Sequence, residues 1–191
     1  MTNMKKFAVY CASSNRVADL YKRSAYDVGA FIASLNATVV YGGGGVGLMN
    51  QVAEGALQNG GQVIGVITEQ LVALEVGRND LTELQVVPTM RERKAQMATL
   101  ADGFICLPGG YGTLEELFEV VTMTQLRIHL KPVGLLNVGG YYDSLLAFID
   151  HAVSEGFIRE CHRPLIVSDT DVATLIEKMS KLRVPDFEDW L

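Results

Sequence analysis

Gly109, Gly110 and Gly112, three glycines within four positions, stand just before Thr113 in the run GFICLPGGYGTLEELFE at 103–119. Glycine adopts positive φ freely and leaves backbone N–H groups uncovered by a side chain. Residues 103–107 form an apolar run suited to a strand buried on both faces, and Pro108 stops it. Thr113 reads as an N-cap, with Leu114, Leu117, Phe118 and Val121 marking the inner stripe of the following helix. Strand, glycine loop and helix start together build an anion site, where unpaired N–H groups and the positive end of the helix dipole converge on a phosphate. Two plainer readings compete. Thr113, Leu114, Glu115 and Glu116 fit a capping box, in which Glu116 only returns a hydrogen bond to the cap backbone. The loop also fits a tight turn, and it matches neither G-x-G-x-x-G nor the P-loop.

Two cations bear on the same chemistry. A helix expected over 90–100 buries Met90, Met97 and Ala101, and this turns Arg93 and Lys94 inward. Inward cations are costly unless they meet an anion. The alternative is that both snorkel past the core and pair with surface acids. A phosphate loop at the same edge favours the anion. Arg91 and Glu92 fall on the solvated side.

Holding these residues together requires a particular frame. Apolar strands are expected at 7–13, 38–41, 62–68, 84–87, 103–107, 133–138 and 165–168. Helical spacing runs through Tyr21, Ala25, Val28, Phe31 and Ile32, and again over 48–58, 90–100, 113–129, 142–153 and 171–179. The segment 69–80, which contains Glu75 and a turn at 77–80, has no clear period. Strands that are apolar throughout, alternating with helices, require a parallel sheet covered on both faces. The expectation is a single Rossmann-like, doubly wound α/β domain over 1–191, with 181–191 as an acidic and aromatic tail. Ligands of such sheets lie beyond the carboxyl ends of the strands. Ser13 and Ser14, the glycine run 42–47, the loop 109–112 and the start of the 90–100 helix all fall on that edge.

Composition narrows the partners. Sixteen Lys and Arg against 22 Asp and Glu give a net charge of -6, which argues against nucleic acid or a membrane surface as a general partner. Cys11, Cys106 and Cys161 are odd in number and far apart, as expected of reduced thiols in a cytoplasmic protein; Cys11 and Cys106 read as core residues of strands. His129, His151 and His162 are too scattered to suggest a shared catalytic site. No apolar run has the length of a membrane span, and 7–12 is too short for a signal-peptide core.

The motifs in combination resemble those of the LONELY GUY (LOG) phosphoribohydrolases. They are Tyr41-Gly42-Gly43-Gly44 with Gly47-Leu48-Met49, Glu75, Met90-x-x-Arg93-Lys94-Ala95, Pro108-Gly109-Gly110-x-Gly112-Thr113-x-x-Glu116 and Gln125-Leu126-x-Ile128-His129-x-Lys131-Pro132. The resemblance runs from about residue 7 to about 168. It implies hydrolysis of the N-glycosidic bond of cytokinin riboside 5′-monophosphates, and of AMP, to free base and ribose 5-phosphate. It also implies a homodimer and no metal or cofactor. Members have been labelled lysine decarboxylases by similarity, but no lysine here stands in a Schiff-base context.

By that resemblance Arg93 and Glu116 are the catalytic pair. The substrate contacts are Glu75, Arg93, Lys94, Gly110, Tyr111, Gly112, Thr113, Leu114, Glu115, Glu116 and Thr122. Cleavage of a glycosidic bond builds oxocarbenium character at the sugar, and a carboxylate beside it stabilises that charge or prepares the attacking water. Arg93 then fixes phosphate or sugar, since a guanidinium does not give up its proton at neutral pH. The chain departs from the family pattern at Arg91, where histidine is usual, at Met123, where tryptophan is usual, and at Arg127, where glycine is usual. A non-catalytic carrier of a nucleotide or phosphorylated cofactor is the alternative of a different class, because a fold does not fix a function.

Overall fold

Seven short strands pair into one sheet: β1 (Lys6–Tyr10), β2 (Thr38–Tyr41), β3 (Gln62–Thr68), β4 (Glu83–Val87), β5 (Gly103–Cys106), β6 (Val133–Leu136) and β7 (Ile166–Asp169). The computed structural model describes residues 4–74 and 77–186. Every pairing is parallel, in the order β4-β3-β2-β1-β5-β6-β7. The helices among the described residues are α1 (Asp19–Ser34), α2 (Gly47–Gln58), α3 (Glu69–Ala73), α4 (Met90–Leu100), α5 (Tyr111–Gln125), α6 (Asp143–Ser154) and α7 (Val172–Ser180). None is long and apolar enough to cross a membrane.

Side chains alternate across each strand, so the sheet feeds two cores. Phe7, Val9, Val39 and Tyr41 point into one core, shared with α1, α2 and α7. Ala8, Tyr10, Val40 and Phe104 point into the other, with Met97 of α4, Leu117 and Val120 of α5 and Ile149 of α6. This is the doubly wound arrangement expected. The edge strand β4 departs from it: Glu83 and Val86 are exposed and its other residues half-buried, because no strand lies beyond it. Gly29 and Gly55 let α1 and α2 cross closely; a Cβ on Gly55 would overlap the carbonyl of Tyr26.

The chain winds outward from β1 to β4, then returns to the other side of β1 with β5. Connections therefore leave β1 and β5 in opposite directions, and a crevice opens beyond their carboxyl ends. β1 ends at Tyr10 rather than 13, although the backbone stays engaged through Ala12 N–H to the carbonyl of Pro108 (3.2 Å). Cys11 is buried one residue past the strand.

Helix α5 is displaced from its expected span of 113–129. It starts at Tyr111 with Gly110 as its cap, and Thr113 sits inside the first turn. At its other end Arg127 has φ 55°, with Ile128 N–H on the Met123 carbonyl (2.9 Å) and Arg127 N–H on that of Thr124 (3.0 Å). This closure favours glycine, and arginine in the left-handed region costs about 1–2 kcal/mol. The Arg127 guanidinium donates to the Pro185 carbonyl (2.6 Å) and pairs with Asp186 (3.0 Å), fastening the start of the tail. The rest of the tail, 187–191, lies outside the described residues.

Candidate active site

The crevice holds a cavity of about 510 Å³, bounded by the ends of β1 and β3, the glycine run after β2, α4 and the start of α5. Its amide cradle comes from α5. The first N–H groups of a helix have no intrahelical acceptor, and Gly110 contributes no side chain to cap them. A Cβ at Gly110 or at Gly112 would meet nothing within 4 Å, so the cradle faces open space. The loop's carbonyls are taken up elsewhere. The Tyr142 hydroxyl donates to the Leu107 carbonyl (2.7 Å) and the Tyr141 hydroxyl to that of Gly109 (2.8 Å). With those acceptors bound by tyrosines, what faces the cavity is N–H groups and a positive helix end.

The second glycine loop differs. At the start of α2 the Gly47 N–H donates to Asn15 Oδ1 (2.9 Å) and the Leu48 N–H to the Ala12 carbonyl (2.9 Å). Those donors are spent on the protein itself. Gly42 instead makes room for Arg93: a Cβ there would overlap the guanidinium.

Arg93 is 8% exposed, with Nε donating to the Val66 carbonyl (2.9 Å) and Nη1 3.5 Å from Glu116 Oε1. Glu116 is thus not part of a capping box. With α5 beginning two residues before Thr113, the carboxylate points from the second turn into the cavity, 13% exposed. The capping box forms on α4 instead, between Thr89 and Glu92. Burial pushes the Glu116 carboxyl up to about 7; Arg93 opposes this and Glu115 adds to it. A carboxyl poised there exchanges a proton readily at neutral pH. Burial also raises the Tyr10 hydroxyl and the Cys11 thiol, keeping both neutral beside it.

Of the residues the sequence nominates, Arg93, Gly110, Tyr111, Gly112, Thr113 and Glu116 line this one cavity. Lys94, Leu114, Glu115 and Thr122 do not. Lys94 pairs with Glu115 and with Glu119 (3.1 Å) beside a second depression. Leu114 packs against the core under α4 to α6, and Thr122 Oγ1 donates to the Phe118 carbonyl of its own helix (2.7 Å). Glu75 lies outside the described residues. Met90, expected on the buried stripe, is 47% exposed, because it opens α4 at the sheet's rim. The sequence did not single out Tyr10 and Leu71, which with Met49 of the Gly47-Leu48-Met49 motif complete the apolar wall. Leu71 sits on α3, in the segment that showed no clear period; the signal that could have found it is Thr68 as an N-cap, whose side chain accepts from the Leu71 N–H (3.3 Å). Among the described residues, no lysine lines the cavity.

Residues 49–179 match the family described as "Possible lysine decarboxylase". A cytokinin riboside 5′-monophosphate phosphoribohydrolase of Arabidopsis thaliana is 48% identical over 180 residues, 93% of this chain and 84% of that protein. The enzyme of that name called LOG in Oryza sativa subsp. japonica is 46% identical over 187 residues, 98% and 77% of the two chains. Among solved structures, the molybdenum cofactor carrier protein of Chlamydomonas reinhardtii superposes with a TM-score of 0.71 at 20% identity, over 92% of this chain and 96% of that one, a likeness of fold. With identity near one half across almost its full length, the chain belongs to the LOG family of cytokinin riboside 5′-monophosphate phosphoribohydrolases.

Proposed function

We propose that this protein hydrolyses the N-glycosidic bond of nucleoside 5′-monophosphates, cytokinin riboside 5′-monophosphates and AMP among them, releasing free base and ribose 5-phosphate. One observation carries the reading: a buried arginine–glutamate pair and an open amide cradle face each other across a single cavity. The phosphoryl group rests on the N–H groups of Tyr111, Gly112 and Thr113, and this seats the sugar over Glu116. Arg93, locked by Val66 and Gly42, holds the phosphate or sugar and draws the Glu116 carboxyl toward its charged form. As the C1′–N bond breaks, its electron pair leaves with the base and positive charge grows on the sugar. The Glu116 carboxylate stabilises that charge and takes a proton from the attacking water, whose oxygen bonds to C1′. The base takes up a proton, so one water is added across the bond.

A homodimer belongs to the same reading. Leu126, Ile128 and Leu130 leave apolar surface exposed just past α5, more than a solitary chain needs there. The setting is cytoplasmic, supported by three cysteines none of which is in a disulfide.

The test is a product assay on purified protein. AMP and a prenylated analogue are each expected to yield free base and ribose 5-phosphate in equal amounts. Binding of AMP with no base above the uncatalysed background would favour a carrier and overturn the reading.

A further inference from the structure

Arg93 and Lys94 are neighbours on α4, and successive helical residues point about 100° apart. They cannot both face the same cavity. Arg93 reaches Glu116; Lys94, 16% exposed, turns the other way and clasps Glu115 and Glu119 on the next helix. Those two acids flank Glu116 on α5, one residue before it and three after it, and among the described residues Lys94 is the cation that pairs with both.

We infer that Lys94 is a positioning residue for the catalytic carboxyl, holding Glu115 and Glu119 away from it and offsetting part of their charge so that Arg93 is the cation that meets Glu116. The inference rests on the reading of Glu116 as the catalytic group for its consequence in turnover, but not for the electrostatics themselves. The charged groups facing Glu116 are Arg93 and Lys94 from α4 and Glu115 and Glu119 on its own helix; the acids raise it and the cations lower it. Tyr10 and Cys11 at the end of β1 and Cys106 on β5 also face it, and burial keeps all three uncharged. Burial lowers the Lys94 ammonium, but its bonds to Glu115 and Glu119 more than offset this, so it remains a cation across the working pH range.

The sign follows. Without Lys94 a cation is lost and two acids are left uncompensated, and both changes favour protonated Glu116. The experiment reads the Glu116 titration by carbon-13 NMR in the ligand-free protein, alongside the pH profile of AMP hydrolysis. Lys94→Gln is expected to move the Glu116 midpoint upward by about half to one pH unit, with KM for AMP changed less than about three-fold. Lys94→Arg, which keeps the cation, should leave the midpoint in place. The triple variant Lys94→Gln, Glu115→Gln, Glu119→Gln, which removes both acids along with the cation, should bring midpoint and profile back down to, or slightly below, those of the wild type. A Lys94→Gln protein with an unmoved midpoint overturns the inference, as does a ten-fold rise in KM that the triple variant fails to relieve. The NMR arm needs no turnover, so absence of hydrolysis would sink the functional reading while leaving this one to be judged by its own midpoint.

Discussion

Glu116→Gln is expected to lower kcat for AMP by about 10²–10⁴-fold while its Kd stays within about three-fold. The substitution keeps the shape of the side chain at the cavity wall and removes the group that accepts a proton and faces the developing sugar cation. The phosphate cradle, made of backbone N–H groups at the start of α5, is left intact. In the wild type, kcat/KM should rise with pH through an apparent pKa near 7, where burial has moved this carboxyl, and the variant should lose that limb. A Gln variant that turns over at the wild-type rate would remove Glu116 from the mechanism.

The same carboxyl has a stability signature of definite sign. Its folded pKa of about 7 lies above the ordinary value of 4.5, so its contribution to stability is fully present below about 4.5 and is lost as pH rises through 7. Between pH 5 and 8 this loss is about 2–3 kcal/mol. His129 works in the opposite direction. Burial lowers its imidazole from 6.5 to about 4, so its contribution is present above 6.5 and lost as pH falls through 4. The difference between wild type and Glu116→Gln, followed by denaturant unfolding from pH 5 to 8, isolates the glutamate. The variant should gain on the wild type as pH rises.

Arg93→Ala is expected to weaken nucleotide binding and turnover together, on the order of 10²–10³-fold in kcat/KM, and to weaken nucleosides much less. The substitution removes a buried guanidinium, strands the Val66 carbonyl it serves, and takes away the cation that lowers the Glu116 carboxyl. The surviving pH limb should therefore shift to the alkaline side. Gly42→Ala provides the companion test. Its methyl group would overlap the Arg93 guanidinium, so it should reproduce the direction of the Arg93→Ala effect with the arginine still present, at a stability cost of about 1–3 kcal/mol from overpacking. Equal weakening of nucleotides and nucleosides by Arg93→Ala would contradict its assignment to the phosphate end.

Much of this site was legible before any coordinates. The bounds of β2, β3 and α4 follow from apolar runs and period alone, and the turns beyond the strands collect at one sheet edge as the topology requires. The misreadings have local causes. Threonine is favoured as an N-cap, yet Thr113 is 4% exposed and packs against Gly109, so the helix begins before it. That shift of register releases Glu116 from the capping role its spacing suggested. Lys94 was grouped with Arg93 because both follow Met90 at helical spacing; the two acids that draw it away sit on another helix, out of reach of a local pattern. Tyr10 and Leu71 were invisible because an apolar residue lining a cavity has the same signature as one filling a core.

Where the two ends of the substrate lie is tested most directly by a crystal structure of the Glu116→Gln protein soaked with AMP. The expected result has phosphoryl oxygens within hydrogen-bond distance of the N–H groups of residues 111–113 and the side chain at 116 beside C1′ of the ribose. A phosphoryl group seated at the start of α2, or a ribose turned away from residue 116, would contradict it.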